Sequence, residues 1–148
     1  MTVKSGPFWD AVRGAAPLPP AAATLGLEVL DVDAERGTIE LAFTATEAFT
    51  NPVGNVLGAF LAAMLYDTVG PALLGTLEPQ QFQSTLDLRA KFLRPVRPGR
   101  VLGHGRVVAR AGDLAYLEAT LTEPGGATIA TATASAKVID MSEAAAAV

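Results

Sequence analysis

Polar and apolar positions alternate over several short stretches of this chain and stop alternating over one long stretch. Residues 27–32 alternate loosely and 38–43 cleanly, with Glu35, Arg36 and Gly37 between them, which predicts a β-hairpin. Residues 84–93 alternate again, placing Leu86, Leu88, Ala90 and Phe92 on one face and Thr85, Asp87, Arg89 and Lys91 on the other. Turn signals at 95–99, 111–113 and 124–126 separate three further strand patterns at 101–110, 114–122 and 127–139. Four consecutive strands with short turns predict an antiparallel meander. A short helix is expected around 8–14, and the Ala-rich tail, 141–148, is expected to fray.

The stretch that does not alternate, 56–77, is apolar on every side and carries one charge, Asp67, near its middle. It is long enough to span a bilayer. A charge at that depth costs about 2.5–3.5 kcal/mol, however, and Gly70-Pro71 interrupts the pattern. The pattern instead predicts a helix, at about 57–75, surrounded by its own domain, which requires the sheet to curl around it. Asp67 then has two readings: a buried carboxylate paired with an arginine or with backbone, or a reactive group with a perturbed pKa.

Composition narrows the chemistry. The chain has 148 residues, half of them apolar, enough for one domain over 1–148. A net charge of −4 argues against nucleic-acid binding. With no cysteine and a single histidine, disulfides, thiolate nucleophiles and His-rich metal clusters within one chain are excluded, and His104, between two glycines on a strand, reads as structural. No GxSxG, Walker or GxGxxG motif is present. No cofactor is expected. The N-terminal stretch is broken by Asp10, Arg13 and several prolines and does not read as a signal peptide, so a cytoplasmic protein without membrane contact is expected. Seven of the eleven basic residues, among them Arg89, Lys91, Arg94, Arg97 and Arg110, lie within 89–110, where there is no acidic residue. Such a cluster is either a solvated sheet face or a docking surface for phosphate groups. Its only aromatic, Phe92, falls on the apolar face, which leaves nothing for base stacking.

The runs FTATEAFTNPVGNVLGAFLAAMLYDTVGPALL and STLDLRAKFLRPVRPG resemble the hotdog-fold thioesterases of the PaaI-like, phenylacetate-degradation type, over about 22–139. That family's pattern is roughly N-x-x-G-x-x-[His or Gln]-G-G, an acid on the helix, then T-x-D-L and F-L-R-P. The resemblance implies an α+β hotdog fold, in which one long buried central helix is wrapped by a curved antiparallel sheet of about five to six strands. It also implies acyl-CoA thioester hydrolysis and homodimers, often paired into tetramers. A carboxylate would attack the thioester or activate water, while Gly58 and Ala59 in the first helical turn offer free N–H groups to the developing oxyanion. Asn51 and Asn55 are candidates for positioning substrate or water, and Thr85, the Thr of T-x-D-L, for supporting the site. Phe60, Met64 and Leu57 suggest an apolar or aromatic acyl pocket. Coenzyme A phosphates would suit the basic cluster.

The motif is degenerate. Counting from Asn51 and Gly54, the family's His or Gln falls on Leu57, its second Gly on Ala59 and its acid on Tyr66, with Asp67 one residue later. One helical step rotates a side chain by about 100°, which would group Tyr66 with Ala59, Ala62, Ala63 and Gly70, and Asp67 with Phe60, Met64 and Pro71. Three readings stay open: Asp67 acts through a shifted register, Tyr66 acts as proton donor, or hydrolysis is lost and an acyl-CoA binding site is kept. A hotdog dehydratase is disfavoured, since neither the helix nor the loop before it carries a histidine. Gly58 and Asp67 are nine residues apart, roughly 13–14 Å along one helix, so a site using both draws on two copies of the chain.

Overall fold

The computed structural model describes residues 4–148. In chain order the elements are α1 (Pro7–Val12), α2 (Pro20–Thr24), β1 (Glu28–Asp33), β2 (Thr38–Ala45), a 3-10 turn (Glu47–Phe49), α3 (Gly58–Leu74), β3 (Gln81–Phe92), β4 (Gly99–Ala111), β5 (Leu114–Thr122), β6 (Thr128–Asp140) and a 3-10 helix (Met141–Ala146). The strands form one six-stranded antiparallel sheet in the order β1-β2-β4-β5-β6-β3. The predicted hairpin is β1–β2. The meander is confined to β4-β5-β6, because β3 crosses to the far edge beside β6 and β4 pairs with β2. Strand spacing along the chain does not encode which neighbour a strand takes when a central helix must be covered from both sides.

Apolar side chains from one face of α3 (Leu61, Met64, Leu65, Val69, Leu73) and from the concave face of the sheet (Leu41, Phe43, Leu117, Leu121, Ile129) are almost completely buried. Removing a side chain of this kind from water contributes about 1.5–3 kcal/mol, so this layer holds the helix on the sheet. Close approach needs small residues on β4. A Cβ at Gly105 would lie 3.0 Å from the Thr68 carbonyl oxygen of α3. α3 continues through Pro71 instead of breaking there. Among the described residues no helix is long and apolar enough to cross a membrane.

β3 departs from the expected alternation. A bulge between Thr85 and Asp87 shifts its register against β6, so Leu86, expected inside, is 56% exposed, while Thr85 and Gln83 are buried. Asp87 closes the bulge by accepting hydrogen bonds from the Ser135 hydroxyl (2.6 Å) and N–H (2.9 Å), which hold its carboxyl below the usual carboxylate range. The tail does not fray as expected. It forms the last 3-10 helix, and Val148 meets β3, donating its N–H to Ser84 Oγ at 3.2 Å and accepting from the Thr85 N–H at 3.4 Å.

Candidate active site

The loop before α3 is built by its own polar groups. Asn51 Oδ1 accepts from the N–H groups of Val53 and Asn55, each at 3.1 Å, and Gly54 turns the chain at φ +85. Arg97 clamps the loop through Nη1 to the Val53 carbonyl at 3.0 Å. The Val56 N–H donates to the Val96 carbonyl at 2.9 Å and the Leu57 N–H to the Phe49 carbonyl at 2.8 Å. α3 therefore begins at a fixed place. The Leu57 carbonyl accepts from the Phe60 and Leu61 N–H groups, whereas among the described residues the Gly58 and Ala59 N–H groups find no acceptor. Asn51, a candidate for touching substrate, has its side-chain oxygen committed to this loop. Leu57 is exposed at the helix start.

Asp67 lies one residue beyond the middle of α3. It lines a cavity of about 690 Å³ enclosed by the N-terminal segment, β1, β2 and the start of β3, where Trp9, Leu27, Tyr66, Gly70 and Gln83 are among its neighbours. It also lines a cleft of about 450 Å³ with Ala59, Ala62, Ala63 and Leu88. Asp67 thus shares a face with the small-residue stripe, a correction to the face expected for it. Met64 is core, and Phe60 stacks on Phe49 with ring centroids 4.2 Å apart, so neither lines these spaces. One residue's rotation does not separate Tyr66 from Asp67 because the exposed face of α3 is wide enough for both.

Among the described residues Asp67 has no salt bridge, its carboxylate accepts no hydrogen bond, and no Lys, Arg or His lines either space. The reading of Asp67 as a carboxylate paired inside its own chain is therefore not met. Burial alone pushes its pKa up to about 6. Tyr66 lines both spaces, yet its Oη is itself buried and has no hydrogen-bond partner. The Thr85 hydroxyl donates to Gln83 Oε1 at 3.2 Å, so Thr85 reaches the cavity only through Gln83.

The basic residues divide. Phe92 packs against Gly58, 3.6 Å from where a Cβ there would stand, so the β3 end carrying Arg89, Lys91 and Arg94 lies beside the start of α3, as does Arg97. Arg110 does not join them. It pairs in register with Ala115, which leads through Ala136 to Thr85, six residues before Lys91 and so roughly 20 Å along the sheet. Its Nε donates to the Gly112 carbonyl at 3.1 Å. His104 faces outward and its Nδ1 meets Glu40 Oε1 at 2.5 Å, a cross-strand pair.

The thioesterase superfamily profile matches residues 53–130. A phenylacetic acid degradation-related protein from Ralstonia eutropha JMP134 is 40% identical, with a TM-score of 0.84 over 88% of this chain and 98% of that one. This chain belongs to the thioesterase superfamily. It has the hotdog fold of the PaaI-like branch, as the resemblance implied. The fold recurs at low identity in a thioesterase from Haemophilus influenzae, 19% identical with a TM-score of 0.79 over 93% of this chain and 94% of that one. It recurs also in the PaaI protein of the Escherichia coli phenylacetic acid degradation operon, 16% identical with a TM-score of 0.78 over 89% and 93%. Among curated proteins the comparison finds no match. Against the pattern set out for the resemblance, Asn51, Gly54 and Gly58 match, Leu57 stands at the His or Gln position and Tyr66 at the acid position, with Asp67 next to it.

Proposed function

We propose that this protein hydrolyses an acyl-CoA thioester, with Asp67 as general base or nucleophile and the first N–H groups of α3 as the oxyanion site. The observation that carries this is Asp67 itself: an unpartnered carboxylate, its pKa raised to about 6, in the wall of two adjoining spaces. A pKa near the working pH is what general base catalysis favours. In the hydrolysis, a water oxygen bonds to the thioester carbon as its proton passes to Asp67. The C–S bond then breaks, and the proton leaves Asp67 for the departing sulfur. In the nucleophile variant the carboxylate bonds to the thioester carbon and the C–S bond breaks, releasing a thiolate that takes a proton from water; water then cleaves the anhydride to the free acid and restores the Asp67 carboxylate.

Gly58 and Asp67 of one chain are too far apart for one carbonyl. The proposed site therefore pairs Asp67 of one copy with Gly58 and Ala59 of another. β3 supports such pairing: it is a sheet edge, the tail occupies it at Ser84 and Thr85, and Leu86, Phe92 and Leu93 stand exposed along the remainder. Arg89, Lys91, Arg94 and Arg97, at the α3-start end, are proposed to meet the coenzyme A phosphates. A cytoplasmic homodimer, paired or not into a tetramer, is the corresponding assembly.

The test is thiol release from short, medium, long and aryl acyl-CoAs by the native protein, Asp67→Asn and Tyr66→Phe. Native turnover that falls at least about a hundredfold in Asp67→Asn and survives in Tyr66→Phe is expected. Loss in Tyr66→Phe alone would move the role to the phenol. The exposed leucine at position 57 favours one second reading, a hotdog that binds acyl-CoA without turnover. Saturable binding with no thiol release from any substrate would establish it.

A further inference from the structure

Thr68, Gln83 and Thr85 are buried polar side chains between α3 and the sheet. The Thr68 hydroxyl donates to the Met64 carbonyl at 2.7 Å, and the Thr85 hydroxyl to Gln83 Oε1 at 3.2 Å. Among the described residues the Gln83 amide nitrogen donates to no acceptor, and it lies open to the cavity that Gln83 lines. An amide N–H open on a cavity wall is free to donate to a water or ligand held there. The Thr85 hydroxyl holds the amide through its oxygen, and in this arrangement the amide nitrogen faces α3. There Nε2 lies over Gly70, 3.0 Å from where a Cβ would stand. Gly70 and Gln83 line the 690 Å³ cavity together with Asp67, which sits three residues earlier on the same face of the helix.

We infer that Gln83 is a positioning residue for the hydrolytic water. Its amide N–H donates to the water oxygen while that water donates to the Asp67 carboxylate, which leaves a lone pair for the thioester carbon. This rests on the reading of Asp67 as the base, and it selects attack by water over attack by the carboxylate. It gives Thr85 an indirect part, anchoring the Gln83 amide at the cavity wall. A methyl group at residue 70 would stand 3.0 Å from the amide nitrogen and press on it.

The experiment measures kcat and KM for hexanoyl-CoA and phenylacetyl-CoA in the native protein, Gln83→Met, Thr85→Val and Thr85→Ser. Ligand binding is read separately from the emission of Trp9, the single tryptophan, which lines the same cavity. Gln83→Met should lower kcat about tenfold or more with KM and Trp9-detected binding within about twofold of native. Thr85→Val should fall in the same direction, and Thr85→Ser, which keeps the hydroxyl, should restore kcat. Should Gln83→Met fail to fold, the Thr85 pair decides. Native-like kcat in Gln83→Met, or in Thr85→Val, overturns the inference while leaving Asp67 as the base. A native protein that binds both thioesters and releases no thiol from either overturns this inference and the hydrolytic reading together.

Discussion

At the scale of single residues, Asp67 couples stability to the proposed activity. Its folded pKa of about 6 stands above the ordinary value of 3.8, so between these values the native state binds the proton that the unfolded state has released. Stability from this group therefore falls as the pH rises from about 4 to 6, by up to about 3 kcal/mol, and stays lowered above that window. Asp67→Asn should raise the melting temperature at pH 8 and leave it unchanged at pH 4, even as it abolishes turnover. Thermal unfolding at the two pH values checks this. In the native enzyme kcat should fall below an apparent pKa of about 6 as Asp67 takes up its proton. Gly54 acts through the backbone: at φ +85, beside the Arg97 guanidinium, an alanine should cost roughly 1–2 kcal/mol in a denaturant titration. Asp67 was legible because a lone charge interrupts an apolar run. Gln83 was not, because a glutamine early in a strand carries no motif, and its open amide exists only once Thr85 and Gly70 are brought beside it.

At the scale of elements, the central helix, every strand, the β1–β2 hairpin and the β4-β5-β6 meander were legible from the pattern, and the place of β3 was not. The bulge in β3 shows why. Strict alternation puts Leu86 inside, but the Ser135 hydroxyl and N–H capture Asp87 from the neighbouring strand, and the register shifts by one. The Asp of T-x-D-L is thus a structural clasp. Asp87→Ala should lower the melting temperature at pH 7. Because the carboxyl of Asp87 is held below its ordinary value, that contribution is present above the usual carboxylate range and is lost as the pH falls through the lowered value, so the difference between variant and native should shrink in acid. The bulge also turns Leu86 outward onto an edge strand, where it joins Phe92 and Leu93. Leu86→Lys on this edge should shift sedimentation toward monomer and reduce turnover in parallel. Monomers that retain full turnover would remove the requirement for a shared site.

At the scale of the whole molecule, the resemblance carried the architecture because the long apolar helix and the T-x-D-L and F-L-R-P signatures are local strings. The site is harder to read because its parts are far apart in the chain: the free N–H groups start α3, the carboxylate lies more than two turns later, and the cavity is closed by the N-terminal segment. The same separation makes the central claim testable with two defective chains. Gly58→Pro removes one oxyanion donor while leaving the helix intact, since proline is accepted at the first helical position and the space beside the Phe92 ring admits it. Asp67→Asn removes the carboxylate. Each variant alone should be nearly inactive. Unfolded and refolded together in equal amounts, half of the dimers should be mixed, and each mixed dimer should hold one site with both Asp67 and Gly58, so thiol release should recover to about one quarter of the native rate. No recovery, with mixed dimers demonstrated by mass, would place the carboxylate and its oxyanion donors in one chain and contradict the shared site.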